Sequence, residues 1–374
     1  MQTRLITTEP ELLALKDSWN ELVRKRPETN VPFYSWDWFY RSWKHFAQPY
    51  KDELAVVTVL DGERLLGILP TVRGMRKSSG ISWRTLGFCN TSITPRNRAY
   101  VAYDEDEIRI YRAIADGVFS HCADWDMLEL ANVPETSSFH RFCEEGFAPA
   151  KARIRNRGFT SLSTHLDGTV EDYIASLSRN TRRYFRKHLR KFEETEGREV
   201  RFFEMPEQMT EGLDFLRDVH RQSWKGEYRD NHVPEFYREI SETLSVRDEV
   251  VIGVLLLSGV PIAGGYIVRN EDTYFYSICD FDLRYGEHSP GMMLFIYELE
   301  QMLGAGRRTF DFCGTAYDYK EKLTQIQERH STFQIFHDGW KSRFVFSAKT
   351  FWLPLFRKIL RKTEPDDLIS VKKR

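Results

Sequence analysis

Apolar residues cluster most strongly between positions 250 and 268, where nineteen consecutive residues carry no charge. That length would span a membrane if the segment were helical. The run is rich in Val and Ile, however, and contains Gly253, Gly259, Pro261, Gly264 and Gly265. Because β-branched residues favour strands and Gly or Pro marks turns, the pattern predicts a β-hairpin that turns at residues 258–261.

A similar hairpin is predicted two hundred residues earlier, at residues 54–70 with its turn at 61–64. Aligning Gly62 with Gly259 also aligns Gly67 with Gly264, at an offset of 197. Each hairpin is followed by another strand, a helical segment and a short strand that contains an acid. The helical segment and the short strand are residues 108–119 and 128–130 in the first copy, and residues 292–303 and 310–312 in the second. This order predicts one α+β unit used twice, the alternative being a chance likeness of two common hairpins.

A basic amphipathic segment separates the two copies. Thr169 followed by Asp172 predicts a helix start, and Phe185, Leu189 and Phe192 form one apolar stripe. The other faces carry seven cations, namely Arg179, Arg182, Arg183, Arg186, Lys187, Arg190 and Lys191. Two interpretations fit, a solvated connecting helix and an anion-handling surface beside a site.

Charge is balanced overall but unevenly placed. The 374 residues contain 54 Lys and Arg against 55 Asp and Glu, which argues against a general nucleic-acid-binding protein. Residues 339–374 carry ten Lys or Arg and three acids, so this tail is +7 and the preceding body −8. Residues 351–362 predict a basic, aromatic, amphipathic helix, which either lies on an anionic membrane surface or packs on the acidic body.

The cysteines and histidines indicate neither disulfides nor a metal site. Five cysteines are widely spaced without a C-x-x-C pair, and the ten histidines show no zinc-ligand spacing. This usage is typical of free thiols in a reducing compartment. We therefore expect a cytoplasmic, metal-free protein, either soluble or peripheral on the inner face of the membrane.

The two copies differ at the N-terminus of their main helix. Residues 104–107 are four acids, which satisfy the helix dipole and would repel a phosphate. In the second copy the first helical turn holds no acid, Pro290 presets the turn and Gly291 allows close approach to a ligand. We predict a pyrophosphate site in the second copy only, formed by Arg284, Gly286, Ser289, Pro290, Gly291 and Met292.

Several motifs of the second copy together resemble a known enzyme family. They are Ser178-Arg179-Asn180 with Arg182, residues 220–224 (His-Arg-Gln-Ser-Trp), Tyr276 with Asp280, Ser289-Pro290-Gly291, residues 310–312 and Tyr319-Lys320. This set is similar to the BioF2-like branch of the GNAT acyltransferases, which includes acetyltransferases of cellulose biosynthesis and is related to Fem-type aminoacyltransferases. The resemblance covers residues 165–340 well and the first copy loosely.

The resemblance implies an α+β fold of tandem GNAT-like units, with mixed sheets flanked by helices and a basic C-terminal tail. The implied division is a degenerate acceptor-side domain (1–165), a catalytic domain (166–340) that includes the connecting helix 169–196, and the tail (341–374). It also implies acyl-CoA as co-substrate, its pyrophosphate held at residues 286–291. The usual signature, Gln/Arg-x-x-Gly-x-Gly/Ala, is altered here, because Gly286 follows Arg284 by only two residues.

Catalytic roles fall on three residues, each with structural packing as its alternative. His220 can accept a proton at neutral pH, Asp311 offers a base or an amine-orienting carboxylate, and Tyr319 resembles in placement the tyrosine that protonates the leaving thiolate in GNAT enzymes. The predicted substrate-binding residues are Arg179, Arg182, Trp224, Tyr276, Asp280 and Lys320.

The function expected from these residues is N-acyl transfer. An acyl group would pass from acyl-CoA to the amine of an envelope-related acceptor, either a long-chain or sphingoid-type amine lipid or an amino-sugar precursor. Two alternatives remain, a Fem-type transferase that uses aminoacyl-tRNA and a non-catalytic, membrane-associated scaffold.

Overall fold

The computed structural model describes residues 1–78, 80–89, 93–122, 124–147, 150–228, 230, 232–314, 318–324 and 326–352. Its strands are β1 (Gln2–Ile6), β2 (Glu53–Leu54), β3 (Val56–Asp61), β4 (Arg64–Leu69), β5 (Thr71–Ser78), β6 (Ile81–Phe88), β7 (Tyr100–Val101), β8 (Met127–Pro134), β9 (Ala152–His165), β10 (Arg198–Phe203), β11 (Val250–Leu257), β12 (Val260–Arg269), β13 (Thr273–Phe281), β14 (Thr309–Asp311) and β15 (Ile326–Phe336).

The α-helices are α1 (Glu9–Ala14), α2 (Lys16–Arg24), α3 (Trp36–Ser42), α4 (Glu107–His121), α5 (Ser138–Glu145), α6 (Val170–Ser176), α7 (Arg179–Glu193), α8 (Met209–Gln222), α9 (His232–Val246), α10 (Pro290–Gly304), α11 (Asp318–Glu321) and α12 (Trp340–Ser347). A 3₁₀ segment, Leu283–His288, precedes α10.

The strands form one large mixed sheet and one small sheet. The large sheet has the order β10-β11-β12-β13-β14-β9-β15-β8-β6-β5-β2, and the small one β1-β3-β4-β7. In the large sheet two pairs of neighbouring strands are parallel: β6 with β8, between which the chain passes through α4, and β13 with β14, between which it passes through α10. Each copy therefore contains a hairpin followed by a β-α-β crossover, which is the predicted α+β unit with helices packed against a mixed sheet.

Both predicted hairpins are present, as β3–β4 and β11–β12. Their turns use Gly62 (φ 58°) and Gly259 (φ 80°), a backbone region that glycine enters without a Cβ clash. The alignment of the two hairpins on these glycines is nevertheless wrong by one residue. In the strand pairing Gly67 lies opposite Val59, and the equivalent pair in the second hairpin is Ala263 opposite Leu255, which gives an offset of 196. The reason is that Gly62 is the first residue of its turn and Gly259 the second.

The predicted connecting helix begins as expected but is broken. Thr169 caps α6 through a reciprocal capping box with Asp172, and Ser178 then caps a second helix, α7. Phe185 and Phe192 of α7 are fully buried in the cluster that contains the apolar face of α10. The basic helix is therefore held against the helix that carries the predicted anion site.

The two halves of the chain share the large sheet. β15, from the second half, lies between β8 and β9 of the first half, and β9 continues to pair with β14. The division at residue 165 stays a prediction. In the described part of the chain, no helix is both long and apolar enough to cross a membrane. Most of the predicted tail helix, from residue 353 onwards, lies outside the described residues.

Candidate functional site

A cavity of about 1030 Å³ opens where two neighbouring strands of the large sheet separate. β13 and β14 pair only over Thr273–Phe275 and Thr309–Asp311. Beyond that point Tyr276–Cys279 and Phe281 of β13 and Phe312–Gly314 after β14 line the cavity. β13 has a bulge at Ser277, where Tyr266 pairs with Ile278 and Ile267 with Tyr276, so Ser277 has no partner in the register with β12.

One end of the cavity is the N-terminus of α10. Gly286, Ser289, Pro290, Gly291 and Met292 all line it, and the first turn of α10 contains no acidic residue. The first N–H groups of a helix lack intrahelical partners and carry a partial positive charge. This end can therefore hold an anion such as a pyrophosphate.

The side chain of Ser289 connects this end to the basic helix. Ser289 has a left-handed backbone (φ 50°) and makes no cap to its own helix. Instead its hydroxyl accepts a hydrogen bond from Tyr184 of α7 and lies 3.3 Å from His188 Nδ1. Tyr184 also lines the cavity, a role that the sequence analysis missed.

Three predicted cations lie elsewhere. Arg284 is exposed and pairs with Asp282 at 2.6 Å, so its charge is already engaged outside the cavity lining. Arg179 is exposed, and Arg182 donates to the carbonyl oxygen of Ala175 at 2.6 Å. All three lie outside the cavity lining, and direct ligand contacts for them stay a prediction. For Arg179 and Arg182 the reason is that, with 3.6 residues per helical turn, only one face of α7 meets α10.

The centre of the cavity holds a buried histidine–carboxylate pair. His220 lies at the end of α8 and lines the cavity, and its Nδ1 is 2.7 Å from Asp280 Oδ2 on β13. The Asp280 side chain is fully buried. A carboxylate acceptor holds the hydrogen on Nδ1, which leaves Nε2 of His220 as a proton acceptor.

Two further residues complete this arrangement, and the sequence analysis named neither. Lys225 Nζ lies 2.7 Å from Asp280 Oδ1 and donates to the Cys279 carbonyl oxygen at 3.1 Å. The Tyr228 ring stacks on His220 with centroids 3.7 Å apart. Both line the cavity. The only sign of this role in the sequence is that the two residues follow His220 by five and eight positions. That spacing points to a contact with His220 only when it is known that the chain turns after the end of α8.

Four further residues of the predicted site also line the cavity: Trp224, Tyr276, Tyr319 and Lys320. Trp224 is 65% exposed at its rim, Tyr276 is buried, and Tyr319 is 44% exposed. Lys320 is buried and donates to the carbonyl oxygens of Phe312 and Cys313. Burial lowers the pKa of Lys320. Among the described residues, no group of His, Cys, Asp and Glu side chains could hold a metal ion.

Asp311 does not join this arrangement. Its Oδ2 lies 2.6 Å from Arg96 Nη2 and its Oδ1 accepts the N–H of Cys313. It lines a second cavity rather than the one that contains His220. The proposal of Asp311 as the base is therefore corrected: its carboxylate is engaged in a buried ion pair between the two halves of the chain.

We expect Asp311→Asn to act on stability. Removing one partner of this buried ion pair leaves Arg96 with only the more distant carboxylate of Glu328, 3.9 Å away, so the free energy of unfolding should fall by about 3 kcal/mol. Denaturant unfolding at neutral pH measures the change, with the exposed Asp167→Asn as control. A fully stable Asp311→Asn protein without activity would return Asp311 to the catalytic candidates.

A buried acid lies behind the cavity wall. Glu298 of α10 is fully buried, and its carboxyl occupies a niche over Gly253 and Gly265, which pair across β11 and β12. A Cβ at Gly265 would lie 2.2 Å from Glu298 Oε1 and 2.6 Å from the Tyr276 ring. Burial raises the pKa of Glu298 to about 8, so this side chain is a neutral acid at pH 7.

Comparison with known proteins finds a family model that matches part of the chain. Residues 179–321 match the family described as an acetyltransferase (GNAT) domain. No curated protein matches the chain. The matched segment contains α7, the His220–Asp280 pair and the N-terminus of α10.

Solved structures extend the likeness over the whole chain. FemX is 11% identical with a TM-score of 0.59, covering 96% of this chain and 100% of that chain. The C-terminal domain of a putative lysylphosphatidylglycerol synthetase from Agrobacterium fabrum is 10% identical, with a TM-score of 0.52 and coverage of 90% and 96%. A tandem GNAT protein of the clavulanic acid pathway is 12% identical, with a TM-score of 0.50 and coverage of 89% and 98%. At these identities the likeness shows the fold, which is GNAT-like.

Proposed function

We propose that this chain, an acyltransferase that carries an acetyltransferase (GNAT) domain, moves an acyl group from acyl-CoA to the amine of an envelope-related acceptor. The single observation that carries the proposal is the cavity itself. One continuous space joins the anion-binding end of α10 to the His220–Asp280 pair, and β13 offers unpaired backbone between them. Acyl transfer needs these three elements together.

The residues of the cavity divide the chemistry between them. His220 Nε2 accepts a proton from the acceptor amine, while Asp280 holds the imidazole and stabilises its protonated form. Backbone N–H groups at the Ser277 bulge stabilise negative charge on the carbonyl oxygen. Tyr319 supplies the proton to the leaving thiolate, and the buried ammonium of Lys320 holds the strand end in place.

The anion site is tested by placing an acidic residue at the start of α10, where the first copy has one at the start of its own main helix. Met292→Glu places a carboxylate in the first turn of α10, where the first copy has Glu107. Unfavourable interaction with the helix dipole and with phosphate should weaken acyl-CoA binding about tenfold or more. Calorimetric titration with acetyl-CoA and palmitoyl-CoA measures it.

Met292→Gln is the matched control for that titration, because it keeps the size and removes the charge. We expect it to bind both thioesters within about threefold of the wild-type affinity. If the wild-type protein binds neither thioester, the acyl-CoA proposal fails. If Met292→Glu binds as tightly as Met292→Gln, the phosphates lie elsewhere.

The acceptor side is supported by the wall that the first half of the chain contributes. Ile93, Pro95, Asn132 and Phe159 of the first half line the cavity, and the exposed Trp224 lies at its rim. An apolar, aromatic entrance suits a long-chain or sphingoid-type amine, and an amino-sugar precursor is the second acceptor class. Mass spectrometry of acylated amines that copurify with the protein decides between them; recovery of neither class would contradict the proposal.

A second candidate, aminoacyl transfer from tRNA, is favoured by the position of α7. Most of its cations are exposed, Tyr184 of the same helix lines the cavity, and the fold is similar to that of FemX. Binding of charged tRNA that weakens steeply with salt, without binding of acyl-CoA, would support this candidate over the first.

A further inference from the structure

A second cavity, of about 590 Å³, lies at the start of α4 and α5 in the first half of the chain. Glu107, the first residue of α4, lines it together with Ser138, the first residue of α5. The segment around residues 93–98 separates it from the acyl cavity: Ile93 and Pro95 line the acyl cavity, whereas Arg96 and Arg98 line the second one.

The arginines of this second cavity have unused donors. Arg98 is only 6% exposed, and its Nε has no hydrogen-bond acceptor among the described residues; the same holds for Nε of Arg96. Both Nε atoms are covered by protein atoms, so the protein leaves these two guanidinium groups incompletely satisfied, at a cost of about 1–3 kcal/mol for each missing hydrogen bond. Buried cations of this kind that line a cavity favour a ligand with acceptor oxygens.

The carboxylates around the cavity do not satisfy Arg98. Glu28 and Glu107 pair with Arg26, and Asp311 and Glu328 lie 2.6 and 3.9 Å from Arg96. Within the described residues, no carboxylate lies within ion-pair distance of Arg98 or of Arg141, which also lines the cavity. The two guanidinium groups are therefore the cations of this cavity that a bound anion could reach.

We propose that the second cavity binds a small carboxylate-bearing molecule, with Arg98 as its main counter-ion. Arg26 and Arg96 each face two carboxylates, and this excess negative charge disfavours a phosphate group, which concentrates nearly two charges, more than a carboxylate group, which carries one. Guanidinium presents paired N–H donors that match a carboxylate geometrically. The site does not depend on the proposed acyl transfer, because it shares no lining residue with the acyl cavity.

The test is a titration of the full-length protein with succinate and with inorganic phosphate at constant ionic strength, followed by thermal unfolding. Ligand binding to the folded state raises the unfolding temperature. We expect succinate to stabilise the wild-type protein and its apparent affinity to fall at least about tenfold in Arg98→Gln. Arg112→Gln, which removes an exposed arginine of α4 outside the cavity lining, should respond as the wild type does.

A conservative variant covers the case in which Arg98→Gln does not fold. Arg98→Lys keeps the charge but has fewer donors, and we expect it to bind succinate more weakly than the wild type. A wild-type protein that does not respond to succinate overturns the proposal, as does an unchanged response in either Arg98 variant. Tighter binding of phosphate than of succinate overturns the choice of a carboxylate.

Discussion

His220→Gln is expected to lower kcat by about 10²- to 10⁴-fold, the range that a general base contributes. Glutamine keeps a polar side chain near Asp280 but cannot accept the amine proton. Since His220 belongs to α8 and not to the first turn of α10, acyl-CoA affinity should stay within about threefold of wild type. Release of the CoA thiol in the presence of the copurified acceptor amine measures kcat, and calorimetry measures the affinity.

Two companion variants make that result specific. Asp280→Asn should also lower kcat, because an amide no longer stabilises the protonated imidazole and leaves the ammonium of Lys225 without its carboxylate at 2.7 Å. His165→Gln, on β9 outside the cavity lining, should leave kcat unchanged. Full activity of His220→Gln would remove the proposed base and favour a mechanism in which the amine enters already neutral.

Glu298→Gln is expected to change how stability depends on pH. The folded-state pKa of Glu298 is raised from 4.5 to about 8, so the unfolded chain ionises this group first as pH rises. As the pH rises from 4.5 to about 8, the free energy of unfolding of the wild-type protein therefore falls by about 1.4 kcal/mol per pH unit, roughly 5 kcal/mol in all. Glutamine cannot ionise, so the variant should gain stability relative to wild type across this window and no further above it.

Denaturant unfolding at pH 5, 6.5 and 8 measures this difference. Glu271→Gln removes an exposed carboxyl and should leave the pH dependence of the wild type unchanged. A difference of this size is a third or more of the stability of a typical domain, so it is readily detected. Parallel curves for wild type and Glu298→Gln would mean that Glu298 ionises inside its niche at ordinary pH.

Local patterns predicted the parts of the fold that depend on neighbours in the chain. Apolar, largely β-branched runs and turn glycines were enough for both hairpins, and a capping box was enough for the helix start at Thr169. The acid-free turn after Ser289 likewise identified the helix end that lines the cavity. The prediction that Gly67 and Gly264 are equivalent positions was wrong, because it depended on aligning the two hairpins to within one residue.

The partners of individual charges could not be read from the chain. Asp311 was proposed as a base because it interrupts an apolar strand, yet its carboxylate is held by Arg96, which is 215 residues away in sequence. His220 was a candidate by residue type alone, and its pairing with Asp280 brings together residues 60 apart. The niche of Glu298 depends on two glycines from different strands, so the amphipathic pattern of α10 gives no sign of it.

By itself, the sequence determined a repeated α+β unit, a basic helix between the copies and an acid-free helix start in the second copy. These depend on periodicity, turn residues and capping, which act over a few positions. Only the tertiary structure decided which carboxylate orients His220, which one joins the two halves and which arginine faces a second cavity. Those outcomes depend on burial and on pairing across the sheet, where a charge is stabilised by whichever partner the fold brings within hydrogen-bond distance.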